Sequence, residues 1–184
     1  DFLYSPLELE RMAADIDMAR ELGADGVVFG CLRPDGSLDT EANAMLMQHA
    51  KGMSVTFHRA FDRCAHPHQA LEELISQGFD RILTSGQQPT ALEGTPLLKE
   101  LHEQAKGRII LLAGCGVNEQ NIATIAQATN IHEFHFSART AVKSQMQFSN
   151  PDVYMGAKDA DEDTLNITSS QRVAHTIEAC LKGV

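Results

Sequence analysis

Residues 53–64, MSVTFHRAFDRC, begin as a strand and end as chemistry. Alternation across a strand puts Val55 and Phe57 on one face and Ser54, Thr56 and His58 on the other. Arg59, Asp62 and Cys64 follow within the next six positions. Such a run, apolar on one side and polar on the other with reactive groups just beyond its end, is what a strand of a parallel α/β sheet presents at its C-terminal edge.

Four further short runs share this character: ADGVVFG (24–30), DRILTS (80–85), RIILLAG (108–114) and HEFHFS (132–137). With 53–58 they start at 24, 53, 80, 108 and 132, so successive starts lie 24 to 29 residues apart. A (β/α)8 barrel fills roughly 250 residues with eight strand–helix units, so each interval is about one barrel unit. Five units are too few to close a barrel. The alternation fits either an open doubly wound sheet or part of a (β/α)8 barrel.

The intervening segments carry helix-start chemistry. Ser5-Pro6-Leu7-Glu8 combines a capping hydroxyl, a proline at the first helical position and a glutamate three residues after the cap. Pro67 opens a predicted helix over 67–77, Asn118 is placed to cap 118–128, and Thr168 with Gln171 suits 169–182. Thr90 with Glu93 and Thr95 with Pro96 offer starts for 96–105, and a further helix is expected near 40–50. Residues 141–168 show little periodicity and a dense acidic patch, and are read as a long surface loop of a single domain spanning 1–184.

The chain has 184 residues, 43% hydrophobic and 22% charged, with a net charge of -10 and a pI near 5.2. That acidic balance, without a Lys/Arg cluster, argues against a nucleic-acid partner. No apolar stretch approaches the roughly 18 residues of a membrane span. Cys31, Cys64, Cys115 and Cys180 are widely spaced and form no CxxC pair, so the expectation is a cytoplasmic protein with reduced thiols, engaging neither nucleic acid nor membrane.

The strand faces nominate the site. Helices cover the outside of a parallel barrel, so Val55, Phe57, Phe134 and Phe136 are expected beneath helices. Ser54, Thr56 and His58, like Glu133, His135 and Ser137, are expected inside. TSGQ (84–87), AGCGV (113–117) and FSART (136–140) lie at the same strand ends. Gly114 and Gly116 expose backbone amides, and with Ser137 and Arg139 they suggest a phosphate or anion site; two glycines that merely permit a tight turn are the alternative. His58 is a candidate acid/base because imidazole titrates near neutrality. Arg59 and Asp62 form either a structural ion pair or an anion-binding arginine with its orienting carboxylate. Cys31 and Cys115 fall just past strand ends, where thiolates helped by His58 or His135 would suit Cu(I), although isolated cysteines are commonly buried apolar groups. Cys64 is placed in a loop beside Asp62 and ranks behind Cys31 and Cys115, Cys180 on the last helix is read as packing, and methionines such as Met45 and Met47 as core.

VTFHRAFD, RILTSGQ with ALEG downstream, LLAGCGV and EFHFSA resemble, in order and spacing, segments of the CutC-type copper homeostasis family. The resemblance runs over about residues 1–140 and more loosely to the end. It implies a (β/α)8 barrel in which the five runs here are strands 4 to 8. It also implies that three earlier strands of the family, with their cysteine- and glutamate-bearing segments, precede the part seen here, so that this chain covers an incomplete barrel. A five-strand fragment exposes two edges and an apolar face, from which a homo-oligomer or a longer polypeptide is expected. The resemblance implies a role in copper handling, with Cu(I) as the suspected cofactor and Cys31, Cys115, His58 and His135 as the available ligands. The rival reading is a barrel enzyme acting on a small phosphorylated or otherwise anionic metabolite held at 114–117 and 137–139. A binding or scaffold barrel without chemistry is the third.

Overall fold

Helix α1 (Pro6–Glu21) starts as its sequence dictates. The Ser5 hydroxyl accepts the Glu8 amide at 3.4 Å, while the Glu8 carboxylate accepts the Ser5 amide at 2.7 Å. The computed structural model describes residues 1–150, 152, 153, 156, 161 and 163–183. Four βα units follow α1: β1 (Gly26–Phe29) with α2 (Thr40–His49), β2 (Ser54–Phe57) with α3 (Pro67–Gln77), β3 (Arg81–Thr84) with α4 (Thr95–Ala105), and β4 (Ile110–Gly114) with α5 (Ile122–Thr129). Strand β5 (Glu133–His135) completes the sheet, and β6 (Arg139–Lys143), β7 (Thr164–Thr168) and α6 (Ser170–Gly183) end the described chain.

All five sheet strands are parallel and lie in the order β1-β2-β3-β4-β5. A doubly wound sheet reverses its strand order at a switch point, which sends helices to both faces. Here the order never reverses. Right-handed crossovers therefore put every helix on one side, and each helix packs against the next, α1 on α2 through α5 on α6. The architecture is TIM-barrel-like.

The two faces divide as alternation predicts. Val55, Phe57, Ile82, Leu111 and Ala113 are buried under the helices, where Phe57 meets Phe79 edge-on at 5.5 Å. Phe134 and Phe136 pack against the same core. The opposite face carries Ser54, Thr56, Arg81 and Glu133, with Val28 60% and Ile110 37% exposed. Arg81 bridges this face, donating to Glu133 at 2.7 Å and to Ser54 at 3.0 Å.

Two expectations are corrected. The 141–168 stretch is not wholly loop, since Ala141–Lys143 continue β6 and Thr164–Thr168 form β7, paired antiparallel from Arg139↔Thr168 to Lys143↔Thr164. Within that stretch, 151, 154, 155, 157–160 and 162, with Asp159 and Glu162 of the acidic patch, lie outside the described residues. Helix α5 begins at Ile122 rather than 118. Asn118 instead closes a polar turn, its side chain accepting the Gln120 amide and its own amide reaching the Asn121 side chain, both at 2.9 Å.

Candidate functional site

The strand ends gather one tightly bonded cluster. After β2 the chain enters a short 3-10 helix, Arg59–Arg63, that turns Arg59 and Asp62 toward the end of β3. Asp62 Oδ2 accepts Arg59 Nε at 2.7 Å; Oδ1 accepts the Thr84 hydroxyl at 2.5 Å, the Ser85 amide at 3.0 Å and the Gln87 amide at 3.2 Å. Both carboxylate oxygens are therefore saturated, and the Asp62 side chain is only 8% exposed. The TSGQ loop keeps its form through this carboxylate, so its Ser85 and Gln87 amides are spent within the protein.

Arg59 is held but not used up. Its Nη2 donates to the Ser85 hydroxyl at 3.0 Å, yet 42% of its side chain remains exposed. Burial pulls its basicity down, but hydrogen bonding to Asp62, the Asp62 charge and a smaller contribution from Cys115 outweigh that and raise it overall. The guanidinium thus stands within reach of the Cys115 sulfur. Of its five N–H donors, two are committed to Asp62 and Ser85.

Cys115 belongs to the turn after β4. It and Gly116 both have left-handed backbones, φ 81° and 74°, and the Cys115 thiol donates to the Pro89 carbonyl at 3.1 Å. Gly114 is still in the sheet, paired with His135 of β5. A Cβ there would lie 2.5 Å from Leu83 Cδ1 and 3.3 Å from the His135 Cβ, so a larger residue would have to displace the Leu83 side chain. Among the described residues no acceptor takes the Gly116 amide. Ser137 and Arg139 lie on the next segment, where the Ser137 carbonyl accepts Thr168 and the Arg139 carbonyl accepts Arg172. Arg172 is itself paired with Glu119 at 3.0 Å, which ties the 116–121 turn to α6.

His58 sits at the end of β2 and caps the same 3-10 helix that carries Arg59 and Asp62. Its Nδ1 accepts the Ala60 amide at 3.3 Å, and the Phe2 ring lies against the imidazole at 4.8 Å between centroids. Burial pushes its pKa down, against a weaker pull from its own backbone. His135 is exposed on β5.

Among the described residues, Cys31, Cys115, His58 and His135 belong to no group of three or more His, Cys, Asp or Glu side chains placed to hold a metal ion. Cys31 lies in the hydrophobic core, its backbone amide and carbonyl both clamped by the buried Asn43 side chain at 2.9 and 3.0 Å. Burial, aided by Asp39, pushes its thiol up to about 12, so the thiolate a soft metal requires is disfavoured. Cys64 is also buried, its thiol raised to about 11 by desolvation. Sequence reasoning missed Phe2, Asn43 and the Arg81–Glu133 pair. Only Asn43 left a trace, as the lone amide in the apolar ANAMLM run.

A parallel sheet in barrel order, with charged and small residues grouped at its C-terminal strand ends, defines a TIM-barrel-like α/β fold. The chain belongs to the CutC family, whose profile matches residues 1–140. It is 59% identical over 180 residues to a family protein CutC of Bacteroides thetaiotaomicron, covering 97% of this chain and 72% of that protein. It is 46% identical to the human copper homeostasis protein cutC homolog, over all of this chain and 67% of the other. The crystal structure of a CutC protein from Streptococcus agalactiae superposes with a TM-score of 0.71 at 34% identity, covering 73% of this chain and 66% of that one. No helix among the described residues is long and apolar enough to cross a membrane.

Proposed function

We propose that this CutC-family chain binds a small phosphorylated or carboxylated metabolite at the C-terminal ends of β2 to β5, between the 114–117 turn and the 137–139 segment. The observation that carries this reading is the placement of Arg59. Anchored by Asp62 and Ser85, its guanidinium stands beside Cys115 with N–H donors to spare. A fixed, partly exposed arginine next to an unclaimed backbone amide is a receptor for an oxyanion. Asp62 serves as the anchor, since both its oxygens are engaged. His58, at the end of β2, contributes a hydrogen-bonding imidazole that burial keeps neutral.

On this reading the copper connection in the family's name does not run through a Cys31, Cys115, His58 and His135 centre, and no copper step is assigned. The four cysteines are unpaired, in keeping with a reducing cytoplasm. The exposed Val28 and Ile110 and the free edges of β1 and β5 favour a working form in which this face is covered, by further strands of a longer polypeptide or by self-association. Light scattering with mass spectrometry of the gene product checks this; a monodisperse monomer of 184 residues would count against both.

Titration of the 15N-labelled protein with inorganic phosphate tests the site. Saturable amide shifts confined to 114–117 and 137–139, lost in Arg59→Gln, are expected. Absence of those shifts in the wild type would overturn the assignment.

A further inference from the structure

The imidazole of His58 is enclosed by groups that dictate where its proton sits. Its Nδ1 accepts the Ala60 N–H at 3.3 Å, and an acceptor nitrogen cannot carry a proton. Phe2 lies across the ring at 4.8 Å and 55°, and Phe57 meets it edge-on at 6.0 Å. Phe2 is itself fixed, its carbonyl accepting the Leu32 amide at 2.8 Å. Gly30 completes the seat: a Cβ there would lie 3.0 Å from His58 Nδ1 and 2.8 Å from the Phe57 ring.

We infer that Phe2 and the Ala60 amide are positioning elements that hold His58 as the neutral imidazole protonated at Nε2, making it a hydrogen-bond donor to an oxyanion oxygen at the strand ends. The donor role rests on the anion reading above; the tautomer does not. A neutral imidazole with its acceptor nitrogen occupied offers a ligand one N–H and no lone pair. The preferred ligand is therefore one that presents an unprotonated oxygen, such as a phosphate or carboxylate, and an alcohol whose proton must be removed is a poor match. Phenyl rings carry no N or O acceptor for that N–H, and the barrier to protonation is the apolar contact itself.

Histidine-selective long-range 1H–15N spectra of the full chain read the tautomer directly. In the wild type at pH 7.5, without ligand, His58 is expected to show the pattern of a single Nε2–H tautomer. Phe2→Leu, which keeps an apolar cover, retains the pattern; Phe2→Ala loses it to averaging between tautomers, with the other imidazoles unmoved as a control on folding. Added inorganic phosphate is expected to shift the His58 Nε2 resonance together with the Gly116 amide. An Nδ1–H or averaged pattern in the wild type, or a pattern unchanged in Phe2→Ala, would overturn the positioning role. Phosphate shifts at Gly116 without any at His58 would overturn the donor role while leaving the anion site standing. No phosphate shift at either place would overturn the anion reading and the donor role with it, while the ligand-free spectrum still decides the tautomer.

Discussion

Asp62 grips Arg59 by its Nε at 2.7 Å while holding the next strand's loop through Thr84, Ser85 and Gln87. One carboxylate thus joins the end of β2 to the end of β3 and fixes the cation of the candidate site. Asp62→Ala strands two amides and a hydroxyl that were buried with their acceptor. An unsatisfied buried donor costs about 1–3 kcal/mol, so a loss of about 2–3 kcal/mol in urea unfolding is expected, with anion affinity falling as Arg59 comes loose. Arg59→Gln leaves those three donors satisfied. It should reduce stability by less than about 1 kcal/mol, in line with partly exposed ion pairs, yet lose the anion response.

Gly30 is packed too closely for any side chain. A Cβ would sit 2.8 Å from the fully buried Phe57 ring and 3.0 Å from His58 Nδ1. Phe57 cannot retreat, being wedged against Phe79. Gly30→Ala is expected to destabilise the fold by about 1–3 kcal/mol, the range for overpacking, and to displace His58. Thermal unfolding and the His58 imidazole resonances measure the two effects separately.

The pH response of stability carries the signature of His58. Its folded pKa lies below the ordinary value of 6.5 because burial disfavours the charged ring. The unfolded chain therefore binds the proton first as pH falls. Stability from this group is whole above about 6.5, declines as pH drops below it, and levels off once the folded form also protonates. Urea midpoints of wild type and His58→Gln between pH 7.5 and 5 should converge as pH falls, and Phe2→Ala should weaken the wild-type dependence by letting water reach the ring.

Local chemistry was the legible part of this sequence. The Ser5 box, Pro67 as the first residue of α3 and the two-sided β2 all depend on neighbours within four positions, and each formed as read. The Arg59–Asp62 pair was legible for the same reason. Asn118 misled because its side chain serves a turn as readily as a helix cap, and the turn won. Strands β6 and β7 were hidden because twenty residues separate them, while Val142, Leu165 and Ile167, on one face of the pair, are scattered among polar neighbours. Phe2 on His58 is a contact across 56 positions with no shared motif. The strand alternation that oriented His58 also stopped short of Cys31, which lies two residues past β1, where the chain has already turned its thiol into the core.

The four thiols should separate cleanly by reactivity, and that order bears on copper. Cys31 and Cys64 are buried, with thiols raised to about 12 and 11, so at pH 8 almost none of either is thiolate. Cys115 and Cys180 are partly exposed. Alkylation by iodoacetamide, followed by mass spectrometry of the folded protein, is expected to modify Cys115 and Cys180 first and to reach Cys31 and Cys64 only on unfolding. A soft metal needs the same thiolate that the alkylating agent does. In anaerobic Cu(I) titration, Cys31→Ser should therefore leave the affinity unchanged, and the Cys31→Ser/Cys115→Ser double variant should match Cys115→Ser alone. A further loss on adding Cys31→Ser would mean that Cys31 leaves the core to bind metal, and would restore the thiol pair as a copper site.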